Sequence, residues 1–218
     1  MVVLLIRFVE KFVELIHLLV SSHLRRLEGR TLPLFSVPQF LSLFFNFTFE
    51  QSDWTRYSSC LDTWQVFLDY IKESSKSSNQ ESPASRYRES LVTLSESVLS
   101  KVLYFTNGAQ LGELDDEAVD GNMETESKKM LSQSIEIFVT VGEILENETL
   151  SQLNEPFQRC TSAYQTLVSL SAASSGVVHI DSKPQLKELL VLFKDLASLL
   201  QLIGRLCELH TGPNYMNQ

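Results

Sequence analysis

The sequence is poor in glycine and proline, the residues that tight turns between β-strands require. It has 8 glycines and 6 prolines among 218 residues, whereas 44% of its residues are hydrophobic. β-Sandwiches and β-barrels need many such turns, so the composition disfavours both architectures. A chain of this length and apolar content can bury a large core, and we predict that it is all-α.

An excess of basic residues is also missing. The 18 lysines and arginines are outnumbered by 27 acidic residues, which gives a formal net charge of -9 and a pI near 5.0. Nucleic acids and anionic membranes are bound through basic surfaces, so the charge argues against both as partners. Basic proteins remain compatible with this charge.

Cysteines are few, and no two of them have CxxC spacing. They are odd in number and far apart, and each lies in an apolar helical pattern: Cys60, Cys160 and Cys207. This arrangement predicts reduced core residues in an intracellular protein rather than a disulfide framework.

No hydrophobic run is both long and free of charge. The most apolar stretch, residues 1–20, is interrupted at helical spacing by ionisable side chains: Arg7, Glu10, Lys11, Glu14 and His17. A membrane-spanning helix needs about 20 mostly uncharged residues, and a signal peptide carries its charge before its apolar core. We therefore predict an amphipathic helix and no membrane insertion.

Catalytic and metal-binding motifs are absent from the sequence. GxGxxG, the Walker loop, HExxH and GxSxG do not occur, and the four histidines are scattered. We therefore expect no catalytic residues, no cofactor and no metal site.

Apolar residues recur at helical spacing in seven segments, which we predict to be helices. Capping residues followed by proline mark several starts, such as Ser36 with Pro38 and Ser182 with Pro184. The predicted helices span about residues 3–28, 36–49, 53–72, 86–106 and 124–145, then 154 into the stretch SAASSG, and 182–210. The last helix is apolar over more than half of its circumference, so we expect it to pack on two sides.

Two segments lack the apolar period and are predicted to be loops. Residues 73–85 contain no large apolar side chain, which predicts a flexible connector. Residues 108–123 contain a dense run of carboxylates: Glu113, Asp115, Asp116, Glu117 and Asp120.

The spacing of this acidic run argues against calcium binding. With Gly121 at position 6 of an EF-hand loop, Ala118 falls at position 3 and Ser127 at position 12. Both positions must supply oxygen ligands, the second of them a bidentate glutamate. The run therefore needs another explanation.

Aromatic residues in the third predicted helix share nearly one face and allow two interpretations. They are Trp54, Tyr57, Trp64 and Phe67. Such a stripe is typical of a core, and a peptide-binding groove is the alternative.

The helices alternate with short loops and recur in pairs about 40 to 47 residues apart, the period of HEAT and armadillo repeats. The predicted fold is therefore an α-solenoid of antiparallel helix pairs that extends through residues 1–218 as a single segment. No strict sequence repeat is visible, so a globular helical bundle is the alternative.

Four blocks of sequence resemble the karyopherin-beta family of nuclear export receptors. They are SSHLRRLE leading into FSVPQFLSLFFNFTFEQ (21–28 and 35–51), YSSCLDTWQVFLDYI (57–71), AQLGELDDEAVD (109–120) and FKDLASLLQLIGRLCEL (193–209). Their order and spacing agree with the family from about Leu24 to Gly212. The resemblance is therefore carried by nearly the whole chain.

The resemblance implies a stack of HEAT-type helix pairs with no enzyme activity. It implies a receptor that depends on Ran-GTP, exports profilin-bound actin and shuttles between nucleus and cytoplasm. It also implies that the carboxylates between Glu113 and Asp120 face basic patches of Ran or cargo. A plain solvated loop is the alternative for this segment.

The family chain is several times longer, and this sequence resembles its middle region. We therefore expect a fragment, an isoform or an incomplete gene model. A cytosolic helical scaffold with its own protein partners, unrelated to nuclear transport, is the rival function. Both functions require the same fold, so dependence on Ran separates them.

Overall fold

A computed structural model describes residues 2–28, 35–75, 82–115, 125–173 and 182–211. Every regular element within these ranges is an α-helix, which confirms the predicted all-α class for them. The helices are α1 (Val2–Glu28), α2 (Val37–Phe49), α3 (Trp54–Ser75), α4 (Pro83–Arg86), α5 (Arg88–Val102), α6 (Tyr104–Asp115), α7 (Glu126–Ile144), α8 (Glu146–Ala173) and α9 (Lys183–Thr211).

The segment predicted as one helix over residues 86–106 belongs to three helices, α4, α5 and α6. Leu103 interrupts the helical path, and the Asn107 side-chain amide donates to the Lys101 carbonyl at 3.0 Å. This bond provides a partner for a carbonyl in the last turn of α5, where carbonyl groups run out of partners within the helix. The predicted helix end at Asn107 coincides with a kink, because Asn107 has non-helical backbone angles (φ -128°, ψ 22°), but the helical path resumes beyond it and continues to Asp115.

The helix predicted to open at Asn154 begins at Glu146, and Pro156 lies inside it. Proline is favoured in the first turn because its missing N–H is not needed there, which was the basis of the prediction. In the interior it removes one backbone hydrogen bond. Leu153 and Cys160 are buried on either side of the proline, and their packing holds α8 together.

The predicted connector over residues 73–85 is shorter than expected. α3 continues to Ser75 and α4 begins at Pro83, so both ends of the predicted loop are helical. The Ser75 and Ser82 hydroxyls lie 3.2 Å apart and form a hydrogen bond between the last residue of α3 and the residue that precedes α4. Residues 76–81 lie outside the described residues.

The chain divides into two compact units, Met1–Ser97 and Val98–Gln218. In the first unit, Phe44 stacks on Trp64 and Phe49 contacts Tyr57, so α2 and α3 are antiparallel. In contrast, α1 and α3 are parallel.

Two contacts establish that parallel direction. His17 lies 3.2 Å from Thr63, and Arg25 pairs with Glu73 at 3.4 Å, so residue numbers rise together along both helices. Successive helices therefore alternate in direction, as they do in stacks of HEAT-like pairs. The predicted helix pairing is confirmed in this unit.

Aromatic side chains form the core of the first unit. Tyr57, Trp64 and Phe67 are buried, and Trp64 contacts both Phe44 and Phe67. Trp54 is only partly buried. The core interpretation of the aromatic stripe is confirmed for the three buried residues, and they do not line a peptide-binding groove.

A carboxylate at the end of α1 joins three helical segments. Glu28 accepts hydrogen bonds from the Tyr87 hydroxyl at 2.9 Å, from Arg86 Nη1 at 2.7 Å and from the Tyr70 hydroxyl. Burial, together with this carboxylate, raises the pKa of both tyrosines. They therefore remain protonated donors at neutral pH, and the cluster ties α1 to α3 and to the α4 region.

In the second unit, α7, α8 and α9 pack on one another, and α6 packs on α7 and α9. Leu145 alone separates α7 from α8. At Gly142, three residues before this break, α7 lies close to its neighbours. A Cβ atom there would lie 2.6 Å from Leu206 Cδ2 and 3.3 Å from Thr149 Oγ1.

Helix α9 has two apolar faces, of which one is buried. Leu199, Leu202 and Leu206 lie in the core of the second unit. A second stripe, at spacings of three, four and seven residues, is exposed: Leu186, Leu190, Phe193 and Leu200. The prediction that this helix packs on two sides is wrong for the described residues. Several large apolar residues of α1 are exposed as well: Phe8, Leu15 and Leu18.

Candidate functional site

The predicted acidic residues lie at the end of α6 and beyond it. Glu113 is exposed in the last turn, and Asp115 is the final residue of the helix. The prediction that all of residues 108–123 form a loop is therefore wrong. The other predicted contact residues lie outside the described ranges: Asp116, Glu117 and Asp120.

The position of Glu113 in the last turn of α6 has an electrostatic consequence. Unpaired carbonyl groups give the C-terminus of a helix a partial negative charge, and carboxylates in the last turn add to it. This arrangement weakens the helix end slightly and concentrates negative potential there. A basic partner is the kind of molecule that such a potential attracts.

A buried carboxylate organises the opposite end of α6. Asp195 of α9 accepts hydrogen bonds from the backbone N–H groups of Tyr104 at 2.5 Å and Phe105 at 3.2 Å. These are the first two residues of α6, whose amides have no partner within the helix. Asp195 therefore acts as an N-terminal cap supplied by another helix.

Cations surround this cap. Arg159 Nη2 lies 3.7 Å from Asp195 Oδ2, and the guanidinium group lies 3.9 Å from the centre of the Phe105 ring. The Lys194 ammonium group lies 4.3 Å from the Tyr104 ring. Burial raises the pKa of Asp195, while the two amides and Arg159 offset part of that rise. The cluster has a structural role in fixing α6, α8 and α9 together.

A groove of about 800 Å³ lies between α1 and α3 in the first unit. Its apolar wall comes from α1, with Ile6, Val13 and Leu18. The opposite wall is polar and comes from the first turns of α3 and the residue that precedes them. This volume is within the range of protein binding pockets, about 300–1,000 Å³. We name it the α1–α3 groove.

The α1–α3 groove is acidic. Arg56 is the one arginine or lysine that lines it, whereas four carboxylates do: Glu10, Glu14, Asp53 and Asp62. The formal net charge of these five side chains is -3. Asp53 also caps α3, since its carboxylate accepts from the Arg56 N–H at 3.0 Å.

His17 lines the α1–α3 groove and has a defined hydrogen-bonding role. Its Nδ1 lies 3.2 Å from Thr63 Oγ1, and that hydroxyl donates its own hydrogen to the Ser59 carbonyl at 3.1 Å. With that hydrogen directed to Ser59, the threonine oxygen accepts from His17 Nδ1–H. In the neutral ring this leaves Nε2 as an acceptor.

Sequence reasoning identified neither the groove nor the buried cap. The signal for the groove was the polar stripe Glu10, Glu14 and His17, which the helical period placed on one face. The other wall of the groove comes from α3, and the helical period of α1 says nothing about which residues of another helix lie opposite. The signal for the cap was a single aspartate, Asp195, inside an otherwise apolar stretch of α9.

Two further observations concern the described residues. No three His, Cys, Asp or Glu side chains among them lie close enough together to hold a metal ion. None of their helices is long and apolar enough to cross a membrane.

Comparison with curated proteins finds exportin-6 from several organisms. The chain is 38% identical to exportin-6 of Danio rerio and 37% identical to that of Homo sapiens, in both cases over 209 residues and 94% of this chain. The chain is similar to one segment of exportin-6. The relative from Dictyostelium discoideum is 30% identical over 205 residues.

The similarity to exportin-6 confirms the resemblance that the four sequence blocks predicted. The chain spans 18% of the length of the Danio rerio and Homo sapiens relatives. No family model and no solved structure matches the chain.

Proposed function

We propose that this chain is a segment of a nuclear export receptor of the exportin-6 type. The observation that carries the proposal is sequence similarity to exportin-6 over 94% of the chain. The alternating helices of the first unit support it, because receptors built from stacked helix pairs present long surfaces to protein partners. A role in protein binding, without catalysis or a cofactor, follows from this proposal.

We further propose that the full-length receptor carries profilin-bound actin from the nucleus to the cytoplasm in a Ran-GTP-dependent way. The acidic balance of the chain supports protein partners with basic surfaces rather than nucleic acid. The receptor then shuttles between the two compartments.

Co-precipitation of the full-length gene product with profilin and actin tests this function. Association is measured with and without Ran loaded with a non-hydrolysable GTP analogue, and Ran loaded with GDP is the matched control. We expect the cargo to be retained with the GTP form alone. Retention that is equal in all three conditions supports the rival cytosolic scaffold instead.

We propose that the carboxylates of the acidic segment speed the encounter with Ran or cargo: Glu113, Asp115, Asp116, Glu117 and Asp120. A triple variant of the full-length receptor, Asp115→Asn with Asp116→Asn and Asp120→Asn, removes three charges from this segment. We expect slower association and a weaker dependence on ionic strength, because long-range attraction is the contribution removed.

The matched control neutralises three exposed glutamates elsewhere: Glu89→Gln, Glu96→Gln and Glu155→Gln. Association rates are compared at two ionic strengths by stopped flow, and calcium is titrated as a further control. Equal association rates for both triple variants at both ionic strengths would show that the acidic segment is only a solvated connector. A micromolar calcium response would contradict the spacing argument against an EF-hand.

A further inference from the structure

We propose that the α1–α3 groove binds a basic peptide segment that carries aliphatic side chains among its lysines or arginines. The inference concerns the first unit alone and holds whether or not the chain acts in nuclear export. Three properties of the groove support it: its charge, its apolar wall and its length.

The net charge of the groove determines the charge of the peptide that it can bind. The lining contributes four carboxylates and one guanidinium group, and α1 contributes two of these carboxylates, Glu10 and Glu14, one turn apart. Residues at this spacing lie on the same side of a helix. Lys11, which pairs with Glu14 at 2.7 Å, and Arg56 offset part of this charge, but carboxylates still outnumber cations at the groove. Lysine and arginine side chains of a peptide would therefore meet a net opposite charge, and an acidic peptide a net like charge.

The apolar surface of the groove determines which side chains the peptide carries between its basic residues. Ile6 and Leu18 are exposed, and Val13 is buried below them. A peptide that is only charged would leave this apolar surface in water. Aliphatic side chains interspersed among the basic ones would cover it, which adds burial to the electrostatic attraction.

The length of the groove sets the size of the segment. It follows α1 from Ile6 to Leu18, which at a rise of 1.5 Å per residue is a distance of about 18 Å. A peptide in extended conformation covers this distance with about five or six residues. Both walls are helices, so the groove is formed before the peptide binds.

His17 supplies a further point of recognition. When the Thr63 hydroxyl donates to the Ser59 carbonyl, it accepts from His17 Nδ1–H, and Nε2 of the neutral ring is then an acceptor. Lysine and arginine carry donors and no acceptors. The histidine therefore matches a basic segment in hydrogen-bonding chemistry as well.

Fluorescence anisotropy with three labelled nine-residue peptides tests the inference on the 218-residue chain. The first peptide has two leucines among lysines and arginines. The second replaces the leucines by alanine, and the third replaces all basic residues by glutamate. We expect the first peptide to bind most tightly, the second more weakly and the third not at all, with affinities for the first two that fall as salt rises.

Glu10→Gln with Glu14→Gln removes charge from the groove, and Glu89→Gln with Glu96→Gln removes the same charge from α5. We expect the groove variant to weaken the first peptide roughly three- to thirtyfold, which corresponds to two exposed charge pairs, and the α5 variant to change little. All four residues are exposed, and circular dichroism verifies that both variants fold.

Leu18→Gln tests the apolar wall separately. Replacing this exposed residue should weaken binding of the leucine-containing peptide and leave binding of the alanine-containing peptide unchanged. Equal weakening by the groove and α5 variants would show that net charge alone attracts the peptides and would overturn the proposal. Binding of the glutamate peptide as tight as that of the first peptide would overturn it too.

Discussion

Trp64 donates its indole N–H to the Thr48 hydroxyl at 3.0 Å, and that hydroxyl donates to the Phe44 carbonyl at 2.8 Å. Both side chains are buried. An indole N–H that leaves water without finding a partner costs free energy, so the threonine fixes α3 against α2 as well as filling space.

Thr48→Val keeps the shape of the side chain and removes the acceptor. We expect it to lower the free energy of unfolding by about 1–3 kcal/mol, because the indole N–H is left buried and unpaired. Urea unfolding followed by tryptophan fluorescence measures the change.

Thr93→Val is the matched control, since Thr93 is exposed and its hydroxyl donates to the Glu89 carbonyl within α5. Its effect should stay within about 0.5 kcal/mol. Equal effects of the two substitutions would show that the indole finds another acceptor when Thr48 is replaced.

Helical spacing was sufficient to place Trp64 in the core but not to identify its partner. Spacing relates residues on one helix, and it correctly grouped Tyr57, Trp64 and Phe67. Thr48 lies on α2, and nothing in its local sequence distinguishes it from a surface threonine. The same limit applies to the α1–α3 groove, whose walls belong to two helices.

At the scale of the helices, Gly142 lets α7 approach its neighbours in the second unit. Leu206 and Thr149, the residues nearest to its missing Cβ atom, are both buried. Glycine lowers helix stability relative to alanine by about 1 kcal/mol. Close packing at this point offsets that cost.

Gly142→Ala and Gly204→Ala form a matched pair of substitutions within helices. Overpacking a core costs about 1–3 kcal/mol, so Gly142→Ala should destabilise the chain by about 1 kcal/mol despite its better helix propensity. Gly204 of α9 has nothing within 4 Å of its Cβ position, so its replacement should stabilise the chain by about 0.5–1 kcal/mol.

Thermal unfolding followed by circular dichroism measures both Gly→Ala effects. Stabilisation by both substitutions would show that Leu206 moves aside without cost and that the close approach is not a constraint.

Helix ends were predictable where local chemistry marks them and not where distant residues do. Ser36 and Ser182 mark the starts of α2 and α9, and both starts were predicted. The start of α6 is capped by Asp195, which is remote in sequence. The end of α7 was predicted, but the start of α8 at Glu146, directly after Leu145, was not, because Asn154 with Pro156 marked a later start. Prediction from capping residues, glycines and prolines alone therefore underestimated the number of helices.

At the scale of the whole molecule, each of the two units contains one buried cysteine, whose reactivity measures the opening of that unit alone. Cys60 lies in the first unit and Cys160 in the second, and both are buried, whereas Cys207 is exposed. Burial raises the pKa of the Cys60 thiol to about 11 and raises that of Cys160 too. The thiolate is the reactive form, so both burial and protonation protect these residues.

Titration of the folded chain with a disulfide reagent at pH 8 should therefore show one fast thiol and two slow ones. The fast phase is assigned to Cys207 and should disappear in Cys207→Ser. The two slow rates measure the opening of α3 and α8, because each buried thiol reacts only when its surroundings open. Three fast thiols would contradict the burial of Cys60 and Cys160.

The cap that Asp195 provides for α6 has a consequence for the order of events during translation. Asp195 follows Tyr104 by 91 residues, and synthesis at about 5–20 residues per second separates their appearance by roughly 5–20 s. During that interval the first amides of α6 have no protein acceptor from α9. The second unit therefore cannot complete its fold as the nascent chain grows and must wait until α9 has left the ribosome.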